Sequence, residues 1–479
     1  MKNAKTKRLY EVLELTKTVL LALLVISMIA LVIIFIRGTY VYESISVKNT
    51  GGEKNFDKLW NVEGGAAAEG LDGSRLVPEF IGYRQTGGTP ACTVGNQEAA
   101  ADLYELVKPC LLELFGSDSV CTKLTAENGT QRFSNAIAGD EFVYLRYHVP
   151  VLYQLIYAYA SDKLIIAEND VAVGADGSVG AYISELVIVP DTEYAAAAHR
   201  YIAFAKDAHG NYFEFRPNDY VVTSAFYTSK LADSGEAAGA HAFRFAEDAL
   251  LPETQPILDK ELPYTPIETT PVDVMSDTTL TPLLRLFGYN PDKLNSYVDD
   301  TGANVYVDTN SRLRVEESVI SFVTSDAYID SRRGIAIDSL LGYSSEDTLN
   351  LFDQLTAVDN LIRKLREISP ELIGGEASLC LGSVYTENAH LVIEFVPLYN
   401  NIRISGKTVL RAVLTQDTIC EVELHPISVT AGEETAYCLQ PEFMLRKLID
   451  LGKLPEDQRT NGLRLLYSGT DAAWTVILK

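Results

Sequence analysis

Between Val19 and Ile36 the chain runs for 18 residues without a charge, and Ser27 is the only polar side chain in the run. Fourteen of the 18 are Leu, Ile, Val or Phe. At 1.5 Å per residue such a helix is about 27 Å long, close to the thickness of a bilayer core. The apolar stretch of a secretory signal is usually about 7–15 residues and ends at a small-residue cleavage site. This run is longer, and Gly38-Thr39-Tyr40-Val41-Tyr42 supplies no such site. Tyr40 and Tyr42 instead suit an aromatic belt at a membrane interface. The expectation is an uncleaved transmembrane helix over residues 19–37, contacting the lipid bilayer. Ala22, Ser27 and Ala30 fall within one half of its surface and would admit a second helix closely. They are the candidate membrane and partner contacts, against the plainer reading of a simple anchor.

Lys2, Lys5, Lys7, Arg8 and Lys17 precede the run, against Glu11 and Glu14, and only Arg37 follows it directly. Positive charge stays inside, so residues 1–18 read as a cytoplasmic tail and the remainder as an extracytoplasmic body. Beyond residue 37 the chain carries 34 Lys/Arg against 63 Asp/Glu, a net charge near −29. Such a body repels nucleic acid and anionic wall polymers, and solubility alone accounts for the acidity. Its length implies two or three domains, and 47% hydrophobic residues suffice for real cores.

The body divides by pattern. Residues 38–95 are rich in Gly, Glu and Asp and read as a juxtamembrane linker and lead-in. Residues 96–251 form a first α+β domain. In it Asn96 caps a helix over Gln97–Phe115 that Pro109 should kink and Gly116 should stop. Strands follow at Glu141–His148 and Ile183–Val189. "YIAFAKDAHGNYFEF" (Tyr201–Phe215) is a hairpin turning at Asp207-Ala-His-Gly210. A helix is expected over Val221–Leu231. Six prolines between Pro252 and Pro282 make residues 252–281 extended, and the domain boundary is placed there. An extension laid along the edge of the first domain is the alternative.

Residues 282–345 form a central strand-rich region, opened by short helices at Leu283–Phe287 and Pro291–Tyr297. Residues 346–479 form a C-terminal α+β domain. Its clearest element is a helix over Glu346–Ile368, capped by Ser344, with Leu351, Phe352, Leu355, Val358, Leu361, Ile362, Leu365 and Ile368 on one face. Strands are expected at Ala377–Tyr385, His390–Pro397, Thr408–Leu414, Ile419–His425, Leu463–Tyr467 and Ala473–Leu478. Pro441 starts a further helix that Gly452 ends. Strands come in consecutive runs, which favours antiparallel α+β over a doubly wound parallel sheet.

Catalytic motifs are absent from the sequence: it has no G-x-S-x-G, H-E-x-x-H or G-x-G-x-x-G. Ser405-Gly-Lys-Thr408 imitates the end of a phosphate-binding loop, but Asn401 stands where its first glycine belongs. The stretch around Gly177 fails as a calcium loop, because Ala172 and Ile183 occupy its first and last ligand positions. The six histidines (148, 199, 209, 241, 390, 425) have no ligand-spaced neighbours and read as structural. The cysteines, Cys92, Cys110, Cys121, Cys380, Cys420 and Cys438, form no C-x-x-C pair. Buried free thiols and one or two disulfides are both open to them. No catalytic, metal or cofactor site is expected. Many of the 26 tyrosines are expected at half-buried strand positions.

A basic tail, one transmembrane helix and a long extracytoplasmic α+β body are the plan of the YycH/YycI regulators of the WalK sensor kinase in Firmicutes. "LWNVEGG", "LVPEFIGYR", "EFVYLRYHVP", "ISELVIVP", "GANVYVDTNSRLRV" and "LRLLYSGTDAAWTVIL" are similar to stretches of that family, leaning to its longer member, YycH. The resemblance implies a non-enzymatic, membrane-anchored accessory regulator of a two-component sensor histidine kinase, active in cell-wall homeostasis. It implies contact with a WalK-like kinase, partly through the transmembrane helix, and a complex with a sister YycI-like protein. The rival readings are an envelope-anchored binding or scaffold protein without a kinase partner, and an anchored cell-wall enzyme.

Overall fold

The computed structural model describes residues 70–117, 119–161, 181–191, 201–217, 228–237, 239–247, 251–308, 310–316, 318–324, 334–342, 349–453, 460 and 462–477. Among these, no helix is long and apolar enough to cross a membrane. The run Val19–Ile36, with Ala22, Ser27 and Ala30, lies outside the described residues.

The helices are α1 (Gln97–Phe115), α2 (Ala126–Ala138), α3 (Tyr153–Ala160), α4 (Thr228–Ala237), α5 (Asp277–Leu286), α6 (Ile337–Leu341), α7 (Leu351–Ile368) and α8 (Pro441–Asp450). The first half contributes strands β1 (Phe80–Arg84), β2 (Ala91–Thr93), β3 (Ser119–Leu124), β4 (Phe142–Leu152), β5 (Tyr182–Pro190), β6 (Tyr201–Asp207), β7 (Tyr212–Pro217), β8 (His241–Phe245) and β9 (Pro256–Leu258). They form one nine-stranded sheet in the order β3-β7-β6-β5-β4-β1-β2-β8-β9, and all its pairs are antiparallel.

Next come β10 (Leu262–Tyr264), β11 (Ile267–Thr270), β12 (Asn295–Val298), β13 (Asn304–Asp308), β14 (Ser311–Val315), β15 (Ile320–Thr324), β16 (Ile335–Ala336) and β17 (Gly374–Gly375). The series closes with β18 (Ser378–Glu387), β19 (His390–Tyr399), β20 (Ile402–Ile404), β21 (Leu410–Leu414), β22 (Thr418–Leu424), β23 (Ser428–Ala431), β24 (Ala436–Cys438), β25 (Gly462–Ser468) and β26 (Asp471–Ile477). Twelve of these build a second sheet along β12-β13-β14-β15-β22-β21-β19-β20-β25-β26, with β16 on β22 and β18 on β19. Among the described residues only β17/β23 and β20/β25 pair in parallel. The architecture is therefore α+β with mostly antiparallel sheets.

Local chemistry explains the helices the sequence foretold. The Asn96 side chain takes the Ala99 N–H, Leu103, Val107, Leu111 and Leu114 are buried, and the Gly116 N–H returns to the Leu112 carbonyl. The helix is continuous through Pro109. The start of α7 is a correction: it opens at Leu351, not Glu346, and its cap is Asn350 rather than Ser344. The Asn350 oxygen accepts from the Phe352 and Asp353 N–H groups while the Asp353 carboxylate accepts from the Asn350 N–H, closing a reciprocal box. The helix expected over Pro291–Tyr297 is a second correction. Only a 3-10 turn, Pro291–Lys293, forms there, and the β-prone Tyr297-Val298 goes instead into β12, paired with β13. The helix expected at Val221–Leu231 is found as Thr228–Ala237; residues 218–227 lie outside the described set. Helices α2 and α3 had no forecast. Thr125 caps α2, whose Phe133, Ala136 and Ile137 are buried, whereas α3 follows directly from the end of β4.

Residues 252–276 are largely extended, as their prolines require, and they hydrogen bond on both sides; residues 277–281 are a correction, since they form the start of α5, which holds Pro282 within it. Strand β9 joins β8 in the first sheet, while β10 pairs with β24 and β11 with β23 of the second half. One contiguous apolar cluster runs from Leu76 to Trp474, through both halves.

Candidate functional site

The densest collection of ionisable side chains lies where β4 of the first sheet meets β25 of the second. Its spine is a row across three neighbouring strands, since Arg146 stands opposite Glu185 and Glu185 opposite Lys206. The Lys206 ammonium reaches Glu185 at 3.0 Å and the Thr254 hydroxyl at 3.1 Å. The Tyr144 hydroxyl donates to Glu185 Oε2 at 3.1 Å.

Glu79 joins this row to the second sheet. Residue 79 immediately precedes β1, whose Phe80 is in register with Arg146. One carboxylate oxygen meets Arg146 Nη2 at 3.2 Å and the other meets Arg464 Nη1, from β25, at 3.0 Å. Arg146 Nη1 also donates to the Leu463 carbonyl at 3.2 Å, and Arg464 Nη1 to the Tyr147 carbonyl at 2.8 Å. Gln255, from the proline-rich strap, accepts the Leu463 N–H at 2.8 Å and lies 3.4 Å from Arg146 Nη1. Glu79 is 2% exposed and Arg146 5%.

His148 sits beside this cluster. Its Nε2 lies 3.1 Å from Asn401 Oδ1, and the Asn401 amide donates to the Pro78 carbonyl at 2.8 Å. Asn400 and Asn401 form the β19–β20 turn with positive φ values of 50° and 60°, a conformation Asn tolerates better than most residues. That turn aims the Asn401 side chain inward.

The electrostatics follow the geometry. Burial pushes the Glu79 carboxyl up, but the Arg146 and Arg464 guanidiniums outweigh it and hold the group below the usual carboxylate range. Glu185 behaves likewise: burial opposes ionisation and the Lys206 ammonium overrides it. Burial drives His148 down to about 4, against the pull of Glu79 and Asn401. The ring is neutral near pH 7, with Nε2–H donating to Asn401. Each carboxylate of the cluster is thus ionised and paired; Glu79 is closed from water and Glu185 is half-buried. The arrangement clamps one sheet to the other; its acids and bases already face one another rather than a substrate.

Elsewhere, an open groove of about 610 Å³ is lined by Asn96, Glu98, Ala99, Asp102, Glu105, Leu106 and Ser234. Its carboxylates come from one face of α1. All six cysteines are buried free thiols, which decides between the two readings the sequence left open. Ser405–Thr408 forms the loop between β20 and β21, and Gly406 has a φ of 68°. His425 pairs with Glu423 at 3.0 Å on the surface, and His199 lies outside the described residues. Among the described residues no group of three or more His, Cys, Asp or Glu side chains is placed to hold a metal ion.

None of Glu79, Arg146, Glu185, Gln255, Asn401 and Arg464 stood out in the sequence as a site residue. One signal was available. Arg146 and His148 interrupt the otherwise apolar run Phe142–Leu152, and a charge at the centre of a buried strand requires a partner. The sequence does not say which partner, because Glu79, Gln255 and Leu463 lie 67, 109 and 317 positions away.

No protein-family model, curated protein or solved structure matches this chain.

Proposed function

We propose that this protein is a membrane-anchored regulator whose extracytoplasmic body modulates a sensor histidine kinase by protein–protein contact. Its transmembrane helix takes part in that contact. The observation that carries the reading is the uncharged run Val19–Ile36, set between a basic tail and a long acidic body. A further feature supports it: the buried ionisable groups at the seam of the body are engaged with one another, so the seam serves architecture and leaves surfaces to do the work. Exposed Tyr297, Val298, Tyr437, Phe443 and Leu451 supply apolar contact area of the kind interfaces use.

Two measurements test the proposal. An enzyme reporter active only outside the membrane should work after Lys479 and fail near Lys7; the reverse pattern overturns the topology. Changing Ala22, Ser27 and Ala30 together to Leu keeps the run apolar but alters its packing surface, because helices associate in lipid through close packing. At equal membrane abundance, the triple variant should recover less histidine kinase than wild type. Equal recovery removes the helix from the contact. Failure to recover any kinase with the wild-type protein favours the envelope scaffold reading.

A further inference from the structure

The turn Asp72–Arg75 is tied to α7, the central helix of the opposite half. The Asp72 N–H donates to Asp359 Oδ2 of α7 at 3.1 Å, and Arg75 Nε reaches Asp359 Oδ1 at 3.3 Å. Arg75 Nη2 returns to the Asp72 carboxylate at 3.1 Å, and its Nη1 lies 3.5 Å from the Leu379 carbonyl. Arg363, one turn further along α7, donates to the Gly70 carbonyl. Gly73 fits closely: a Cβ there would meet Lys108 Nζ at 2.9 Å and the Tyr159 carbonyl at 3.1 Å. Asp359 has no exposed surface, and Arg75 is 2% exposed.

We infer that Asp72, Arg75, Asp359 and Arg363 form a proton-dependent latch that holds the Asp72–Arg75 turn against α7, closing on acidification and loosening as the medium returns to neutrality. The charges that act on the Asp359 carboxyl are Asp72 and Arg75 of the Asp72–Arg75 turn and Arg363 of α7, with Tyr159 of α3 beside them. Around these, Arg366 of α7 faces Arg75 and Asp72, and Cys380 of β18 faces Tyr159. Lys108 of α1 lies against Gly73. Among the described residues Arg75 is the one cation within ion-pair distance of the Asp359 carboxylate, and it is shared with Asp72.

Burial therefore prevails over the Arg75 attraction, and the neighbouring Asp72 charge adds to it, so Asp359 is raised to about 6. If the latch opens, Asp359 meets water and returns toward the ordinary carboxylate value near 4. The closed form then binds a proton more tightly than the open one, so closure strengthens as pH falls through about 6 and weakens as pH rises. Across the full window the closing equilibrium shifts on the order of 100-fold. In its protonated form Asp359 keeps acceptor capacity for the Asp72 N–H, while Arg75 keeps Asp72 as its counter-ion.

The test is hydrogen exchange on the full chain in lipid nanodiscs, from pH 5 to pH 8, corrected for intrinsic rates. The Asp72 and Arg75 amides report directly, since they donate to Asp359 and to the Asp72 carbonyl. Their protection should fall about tenfold on going from pH 5 to pH 8, while amides within Leu355–Leu365 stay protected. Asp359→Asn, a neutral isostere, should remove the pH dependence. A flat wild-type profile overturns the inference without any variant. So does a profile whose slope survives in Asp359→Asn. Both outcomes are independent of kinase recovery, so the latch and the proposed function fail separately.

Discussion

Glu79 and Asp359 are both buried carboxylates that join distant parts of the chain, yet their electrostatics run in opposite directions. Glu79 has two guanidiniums, one on each oxygen, which hold its carboxyl below the ordinary range. Asp359 has a share of one guanidinium and a second acid beside it, and it is raised to about 6. Burial is severe for both, so the count of cations per carboxylate decides the sign. A doubly paired acid makes a permanent clamp. A half-paired acid leaves the protonated form within reach, which is what a switch needs.

The largest expected effect comes from breaking the permanent clamp. Glu79→Gln keeps the shape and removes the charge, leaving Arg146 and Arg464 without their anion. Loss of one partner of a buried pair typically costs about 3–5 kcal/mol. Chemical denaturation should show that loss, with the two halves unfolding less cooperatively. A change below about 1 kcal/mol would mean that the cluster is ornamental.

The pH dependence sharpens the comparison further. Asp359, raised to about 6, binds a proton more readily in the folded chain, so its contribution improves as pH falls from about 6 toward 4. His148, lowered to about 4, resists protonation when folded, so its contribution is complete above the ordinary histidine value near 6.5 and is lost as pH falls toward 4. The two oppose each other over the same window, each amounting to a few kcal/mol. Relative to wild type, His148→Gln should melt at progressively higher temperature on going from pH 6.5 to 4.5. Asp359→Asn should do the reverse. Parallel melting curves for all three proteins would refute both assignments.

At pH 7 itself, Asp359→Asn should change stability by no more than about 1 kcal/mol, because the lost Arg75 attraction and the relieved burial of charge offset each other. Denaturant midpoints measured beside those of Glu79→Gln give the direct contrast. The smallest effect belongs to the surface. Arg244 holds Glu442 of α8 through two 2.8 Å contacts, but the pair is open to water. Arg244→Ala should cost at most about 1 kcal/mol, and less in high salt. A loss as large as that from Glu79→Gln would break the distinction drawn between buried and exposed pairs.

The sequence by itself determined the elements whose causes are local. Asn96 and Gly116 bracket α1, Asp207 and Gly210 turn the β6–β7 hairpin, and Pro441 opens α8, because caps, turns and apolar periodicity act within a few residues. It also determined the largely extended course of residues 252–276, since proline fixes φ and removes an N–H, but not the helical start at Asp277, where Pro282 is accommodated within the first turns of α5. Local signals misled where two of them competed. Ser344 and Asn350 are both capping residues, and the choice went to the one whose reciprocal partner, Asp353, sits three positions on within the helix. Tyr297 was placed in a helix by its neighbours and in β12 by its partner strand. The tertiary structure alone decided which charges meet. Glu79, Arg146 and Arg464 come from three separate strands or their flanks, and Asp72 and Asp359 from opposite halves. Charge pairing is set by distance in space, and no periodicity in the chain encodes it.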